Sequence, residues 1–257
     1  MKLNIKKIIN KKRKSKIVCL TAYSKSFAKI LDKYCDIVLV GDSLANVVYG
    51  MNNTHKISLE TMIEHARSVK LGCKNSLCVV DMPKNTYRNK KIALTNAKKI
   101  IKSTMCDAVK IESNFRNETI IKHLVNNKIA VMGHIGFTPQ FHKRFKTPGK
   151  TNSEKIKLIK EAFKIEKAGA FSIVLECIST ETSREITKKL NIPTIGIGSS
   201  IYCDGQILVT DDLLGLSGFY PKFVKKYINL NKIIEKAIQK YKKEVTRKLF
   251  PKKNNSF

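Results

Sequence analysis

The feature that most constrains this chain is a repeated punctuation. Short apolar, largely β-branched runs recur along it, most of them followed by a polar or acidic residue, with Lys-rich amphipathic stretches between. The runs lie at 17–20, 37–40, 77–80, 108–111, 129–132, 172–175 and 194–197, with a less regular eighth at 207–209. Runs this short without polar alternation describe strands buried on both faces, as in parallel sheets. Stretches such as 91–103, 153–167 and 180–190 space their apolar residues as helices do. Strands alternating with helices predict βαβ units. Eight of them in 257 residues fit a single-domain (β/α)8 barrel of the TIM type over 1–257. An open doubly wound sheet is the alternative, because periodicity does not prove closure. A last Lys-rich helix at about 230–247 is expected to pack outside the barrel, followed by a short frayed tail at 251–257. After the first run stands Thr21-Ala22-Tyr23-Ser24 rather than a GxGxxG turn, which argues against a dinucleotide fold.

The net charge of +30 suggests nucleic acid at first sight. Of the 50 basic residues, however, only seven are Arg, and the Lys are scattered over nearly every expected helix. Nucleic-acid readers cluster their charge and favour Arg for bidentate contacts, so a solvated basic surface without specific nucleic-acid binding is expected. The seven cysteines are odd in number, lie mostly in apolar runs and form no CxxC pair. Buried free thiols in a reducing, cytoplasmic compartment account for them better than disulfides or zinc. The basic start of the chain lacks an apolar signal region, and no run is long enough to cross a membrane.

The chemistry sits where the runs end. IVLVG leads into Asp42-Ser43, LCVV into Asp81, AVKI into Glu112, AVMG into His134 and SIVL into Glu176. In a barrel those ends converge on one mouth. Asp42 or Asp81 alone could be a helix N-cap, but so many in register call for a common purpose. Asp42, Asp81 and Glu112 would repel one another without a cation or protons between them. An all-oxygen set favours a hard divalent ion, Mg²⁺ above all. A 2-oxo acid could chelate such an ion through carboxylate and ketone oxygens, which would acidify the neighbouring C–H. Lys110 lies two residues before Glu112 and faces the same way, either toward substrate charge or as a neutraliser of a buried carboxylate. Glu176 follows Ile173-Val174-Leu175, so a raised pKa and a proton-acceptor role are expected; a further metal ligand or a salt-bridge partner are the alternatives. His134 is either a hydrogen-bond or proton donor to substrate or a satisfied structural histidine.

The ordered set VGDSLANVVYG, DMP, VKIE, GHIGFTPQ, VLEC, IPTIGIGS, CDGQILV and YPKFVKKY closely resembles the ketopantoate hydroxymethyltransferase family, from about residue 16 to about 227. The resemblance implies Mg²⁺ on Asp42, Asp81 and Glu112, oxo-acid contacts from Ser43 and Lys110 together with the aspartates, and Glu176 as proton acceptor. It implies 5,10-methylenetetrahydrofolate as co-substrate, 3-methyl-2-oxobutanoate as acceptor, 2-dehydropantoate as product, and a homodecamer. The chain departs from the family pattern at Ser24, at Lys84, at Ser199-Ser200 and in a shortened loop at 141–152. The nearest enzymatic rival, a lyase or mutase of the phosphoenolpyruvate mutase and isocitrate lyase kind, carries a cysteine in a KKCGH-type loop that this sequence lacks.

Overall fold

The computed structural model describes residues 3–114, 117–142, 146–218 and 220–257, in two compact units, Met1–Val209 and Thr210–Phe257. In the first unit eight parallel strands close on themselves. They are β1 (Ile17–Thr21), β2 (Ile37–Val40), β3 (Leu77–Asp81), β4 (Ala108–Glu112), β5 (Val131–Gly136), β6 (Ser172–Glu176), β7 (Thr194–Ile197) and β8 (Gly205–Leu208). Each pairs with the next and β8 returns to β1, which decides for the barrel over the open sheet. Helix α1 (Leu3–Asn10) precedes β1; α2 (Lys25–Leu31), α3 (Leu44–Val47), α4 (Leu59–Gly72), α5 (Lys90–Thr104), α6 (Glu118–Asn126), α7 (Asn152–Lys167) and α8 (Thr180–Lys189) lie between strands.

The strands alternate as the two-residue repeat requires. Ile37 and Leu39, Leu77 and Val79, and Ala108 point into an inner cluster with Cys19, Met132, Val174, Ile195 and Ile207. Val38 and Val40, Val80, Val109 and Ile111 belong instead to the outer cluster shared with the helices. Burying such a side chain contributes about 1.5–3 kcal/mol, so the two clusters together dominate the stability of the unit. The seven cysteines are all buried and free, as their apolar settings indicate. Among the described residues no helix is long and apolar enough to cross a membrane.

Three details differ from the reading of the sequence. First, α1 is an element: Ile5 and Ile8 join the inner cluster, and Lys11 and Lys12 reach Asp36 at 2.5 Å and Asp204 at 2.7 Å. Because those aspartates immediately precede β2 and β8, α1 closes the N-terminal end of the barrel. Second, β5 starts and ends later than the apolar run at 129–132, continuing through Gly133-His134-Ile135-Gly136, whose glycines and histidine conceal a strand. Third, only residues 198–204 join β7 to β8, with no helix, although parallel crossovers usually need a dozen residues or more. The short link still returns the chain to the level of Ile195, where Gly205 pairs and β8 begins. Gly205 is required there, since a Cβ would meet the Ile17 carbonyl oxygen at 2.5 Å.

The second unit holds α9 (Thr210–Leu214) and α10 (Leu230–Thr246), with a 3-10 turn at Lys253–Asn255 in the expected tail. The Leu213 carbonyl accepts from the Tyr227 N–H at 2.9 Å. Along α10 the apolar Ile233, Ile234, Ile238, Tyr241 and Val245 are all exposed.

Candidate active site

The barrel's inward rows end in chemistry. Leu77 and Val79 lead up to Asp81, Ala108 to Lys110 and Glu112, Met132 to His134, and Val174 to Glu176. Register places Asp81 beside Lys110 and Glu112 beside His134. Asp42 follows β2 at the same level, its backbone N–H donating to Asp81 Oδ2 at 3.0 Å. Neither aspartate caps a helix, because Ser43 takes the N-cap of α3 and Asn89 that of α5. Asp42, Asp81, Lys110, Glu112 and His134 are all buried, and only Glu176 is partly open.

The Lys110 ammonium lies 2.8 Å from Asp81 Oδ1, a buried ion pair. Burial works against the Lys110 charge, but Asp81, Glu112 and Asp42 outweigh it and hold its pKa above the ordinary value. The carboxylates feel the crowding in the opposite sense. Burial and then Asp81 push Asp42 up to about 7, although Lys110, Gln140 and Thr54 oppose. Burial and Asp42 hold Glu112 well above its usual range. Burial raises Glu176 to about 8, with Lys110 opposing and Asp81 adding. His134 is driven well below its usual value by burial and by Lys110, so the ring is neutral. Its Nδ1 lies 3.4 Å from Lys110 Nζ, which has only protons to offer. Nδ1 is therefore the acceptor, and Nε2 lies 3.1 Å from Glu176 Oε2 without a formed hydrogen bond.

Loops complete the mouth. Gln140, from the connection after β5, donates from its amide to Asp42 Oδ2 at 2.8 Å and to the Met82 carbonyl at 3.0 Å, and from its backbone to Glu112 Oε2 at 3.0 Å. Tyr87 donates to the Gln140 side-chain oxygen. Ser43 Oγ lies 2.9 Å from the Tyr23 hydroxyl. The Tyr23 carbonyl in turn accepts from His65 Nδ1–H at 2.7 Å. Gly136, at φ +102, turns the end of β5 so tightly that a Cβ would meet the Glu176 carbonyl oxygen at 2.2 Å. The predicted Asp42, Ser43, Asp81, Lys110, Glu112 and Glu176 thus share one end of the barrel. Gln140, Tyr87 and Tyr23 were not singled out from the sequence, although Gln140 closes the GHIGFTPQ motif. Of the shortened 141–152 loop, residues 143–145 lie outside the described residues. Ser24 stands at the N-cap of α2 without a side-chain cap bond, and Ser199 turns to Ser183 and the Ile178 carbonyl.

The donor set is suited to a hard cation: three buried carboxylates from neighbouring strand ends and no thiolate. Among the described residues no three His, Cys, Asp or Glu side chains are drawn close enough to hold a metal ion as they stand. Lys110 occupies Asp81 and Gln140 spans Asp42 and Glu112 instead.

Known proteins agree with this geometry. Among solved structures, 2,3-dimethylmalate lyase, a member of the PEP mutase/isocitrate lyase superfamily, matches with a TM-score of 0.62 at 16% identity, over 98% of this chain and 91% of that one. Phosphonopyruvate hydrolase matches with a TM-score of 0.63 at 10% identity over 80% of each chain. At such identities the likeness is one of fold. In sequence, the chain is 53% identical to the 3-methyl-2-oxobutanoate hydroxymethyltransferase of Pelagibacter ubique over 98% of this chain and 99% of that protein. It is 48% identical to that of Thermosipho africanus over 99% and 98%, and 42% identical to that of Aliarcobacter butzleri over 100% and 97%. The family model of ketopantoate hydroxymethyltransferase matches residues 2–253. Barrel, mouth and whole-chain similarity coincide: the chain belongs to the ketopantoate hydroxymethyltransferase family, the hydroxymethyl-transferring enzymes of pantothenate biosynthesis.

Proposed function

We propose that the chain moves the one-carbon unit of 5,10-methylenetetrahydrofolate onto C3 of 3-methyl-2-oxobutanoate, giving 2-dehydropantoate and tetrahydrofolate. The observation that carries this reading is Glu176, a carboxyl raised to about 8 that stands at the same mouth as a charged Lys110 and three further carboxyls. A base of that strength suits removal of a proton next to a ketone at near-neutral pH. In the ionised form Glu176 takes the C3 proton, and the electron pair left on C3 forms the new bond to the donor's methylene carbon. Both C–N bonds of the donor's methylene carbon break with their electrons staying on the two nitrogens. Water supplies the hydroxyl of the product, and the nitrogens take up the proton removed from C3 and one from that water. His134 stands with Nε2 3.1 Å from Glu176 Oε2, a neutral polar neighbour for that carboxyl. Lys110 is the buried cation nearest the charge that develops as the proton leaves. Ser43 and Lys110, with Asp42 and Asp81, bind the oxo acid. Asp42, Asp81 and Glu112 would hold Mg²⁺, which when bound supplies Lewis acidity at the ketone oxygen.

The chain acts in the cytoplasm as a homo-oligomer, in line with the family's decamers, without a membrane or a specific nucleic acid. The exposed apolar row on α10 supports self-association. The test is incubation with oxo acid, methylenetetrahydrofolate and Mg²⁺ followed by mass spectrometry. Formation of 2-dehydropantoate with stoichiometric tetrahydrofolate is expected; no product at any donor concentration would refute the donor assignment.

A further inference from the structure

Gln140 is the side chain that ties the mouth together, yet it stands on a loop, so something must hold that loop. The structure supplies one chain of contacts for it. His55, in the 3-10 turn Thr54–Lys56 after α3, places Nε2 at 2.9 Å from the Pro139 carbonyl, one residue before Gln140. A carbonyl can only accept, so Nε2 carries the proton. Lys84 Nζ, two residues beyond Met82 in the connection after β3, lies 3.3 Å from Nδ1 and 3.5 Å from Nε2, against the ring rather than on one nitrogen. Pro139 thus fixes the proton on Nε2, and Lys84 braces the ring that carries it. The neighbouring Thr54 is buried and bears on Asp42 from the same turn.

We propose that His55, braced by Lys84, is a positioning residue of this active site, latching the connection after β5 to those after β2 and β3. The inference rests on the function proposed above only for its kinetic readout. Through Pro139 the latch sets Gln140 across Asp42, Glu112 and the Met82 carbonyl, so it governs how the mouth receives the oxo acid. Neither His55 nor Lys84 touches substrate in this account. Other described side chains join mouth loops by different routes: Tyr87 reaches Gln140, and His65 reaches the Tyr23 carbonyl. The Lys84–His55–Pro139 path joins the same three connections as Tyr87–Gln140–Asp42, and so ties them a second time from the backbone side of Gln140.

Two substitutions separate a latch from bulk packing. His55→Phe keeps a ring and removes both nitrogens; His55→Gln keeps a donor that can reach the Pro139 carbonyl. With the full-length protein, Mg²⁺ and 3-methyl-2-oxobutanoate, His55→Phe is expected to raise KM for the oxo acid about threefold to tenfold, with kcat changing less, as loss of one part-buried hydrogen bond implies. His55→Gln recovers most of that loss while shifting Tm as His55→Phe does. Equal KM in wild type and His55→Phe, or no recovery by Gln, would overturn the latch. A readout independent of activity is ¹⁵N NMR of the histidine rings. His55 should show a protonated Nε2, and Lys84→Met should move the resonances of both ring nitrogens. A bare Nε2 overturns the inference, even if the wild type proves inactive toward the oxo acid and the proposed function falls.

Discussion

The two ends of the barrel use aspartate in opposite ways. At the N-terminal end, Asp36, Asp107 and Asp204 each stand just before a strand and accept the backbone N–H of the strand before it: Val18 at 3.0 Å, Cys78 at 3.0 Å and Thr194 at 2.9 Å. Each also holds a lysine, at 2.5 Å for Lys11, 2.9 Å for Lys70 and 2.7 Å for Lys12. Asp32 joins them by accepting from the N–H groups of Lys74, Asn75 and Ser76 ahead of β3. At the C-terminal end the carboxyls face one another with a single buried lysine among them, and Asp42, Glu112 and Glu176 are pushed upward. Carboxylates matched to donors stabilise the fold; carboxyls crowded together store a demand for a cation and a proton. The same residue type thus serves structure at one end and chemistry at the other.

This division can be broken experimentally. The largest effect is expected at the mouth: Glu176→Gln should slow exchange of the oxo acid's C3 proton by about 10²–10⁴-fold. Its Tm should hold or rise, because a buried carboxyl is neutralised; loss of stability with retained exchange would reverse the assignment of ends. At the other end, Asp204→Ala leaves Lys12 only the Thr187 carbonyl and frees the Thr194 N–H, so unfolding in urea should show a loss of about 3–5 kcal/mol. Its kcat/KM, measured where the variant is folded, should stay within about twofold of wild type. A smaller effect sharpens the contrast: Asp42→Asn in the metal-free protein should stabilise by about 1–3 kcal/mol at pH 7 while lowering activity. A carboxyl raised above its unfolded value costs stability progressively as pH climbs past that value, and the amide removes the cost. An unchanged or lower urea midpoint would show that Asp42 is not strained.

Acid should reveal the smallest effect. Burial alone would raise Asp32, but the N–H donors of Ser76, Asn75 and Lys74 overcome it, and its pKa lies below the ordinary value. A depressed carboxylate stabilises above its unfolded pKa of about 3.9 and loses that contribution as pH falls through the folded value. Asp32→Asn should therefore flatten the decline of Tm below about pH 4; an identical acid limb in both proteins would show that Asp32 is not one of the responsible groups.

Much of this was legible in the sequence, for physical reasons. Inward rows repeat every two residues, so Asp81, Lys110, Glu112 and Glu176 could be placed on one surface by counting. What escaped notice depended on long-range fit. Ile5 and Ile8 of α1 look like apolar residues in a basic leader until the barrel's open end supplies their partner cluster. The missing helix between β7 and β8 breaks the alternation kept elsewhere, and only the pairing of Gly205 with Ile195 shows that β8 still completes the barrel. His134 and its glycine neighbours hid half of β5, since buried polar residues interrupt the apolar signature. Gln140, His55 and Lys84 meet only because three connections converge, and loop residues carry no periodicity.

The central claim is that the crowded mouth enolises a 2-oxo acid with Glu176 as base. Proton NMR of 3-methyl-2-oxobutanoate in D₂O, with the protein present and Mg²⁺ added or withheld, tests it most directly. The account predicts loss of the C3–H signal with Mg²⁺ and protein together, and its persistence when either is withheld or when Glu176→Gln replaces the wild type. A signal that survives with wild-type protein and Mg²⁺ present would contradict the account and leave the crowding at the mouth without the chemistry assigned to it.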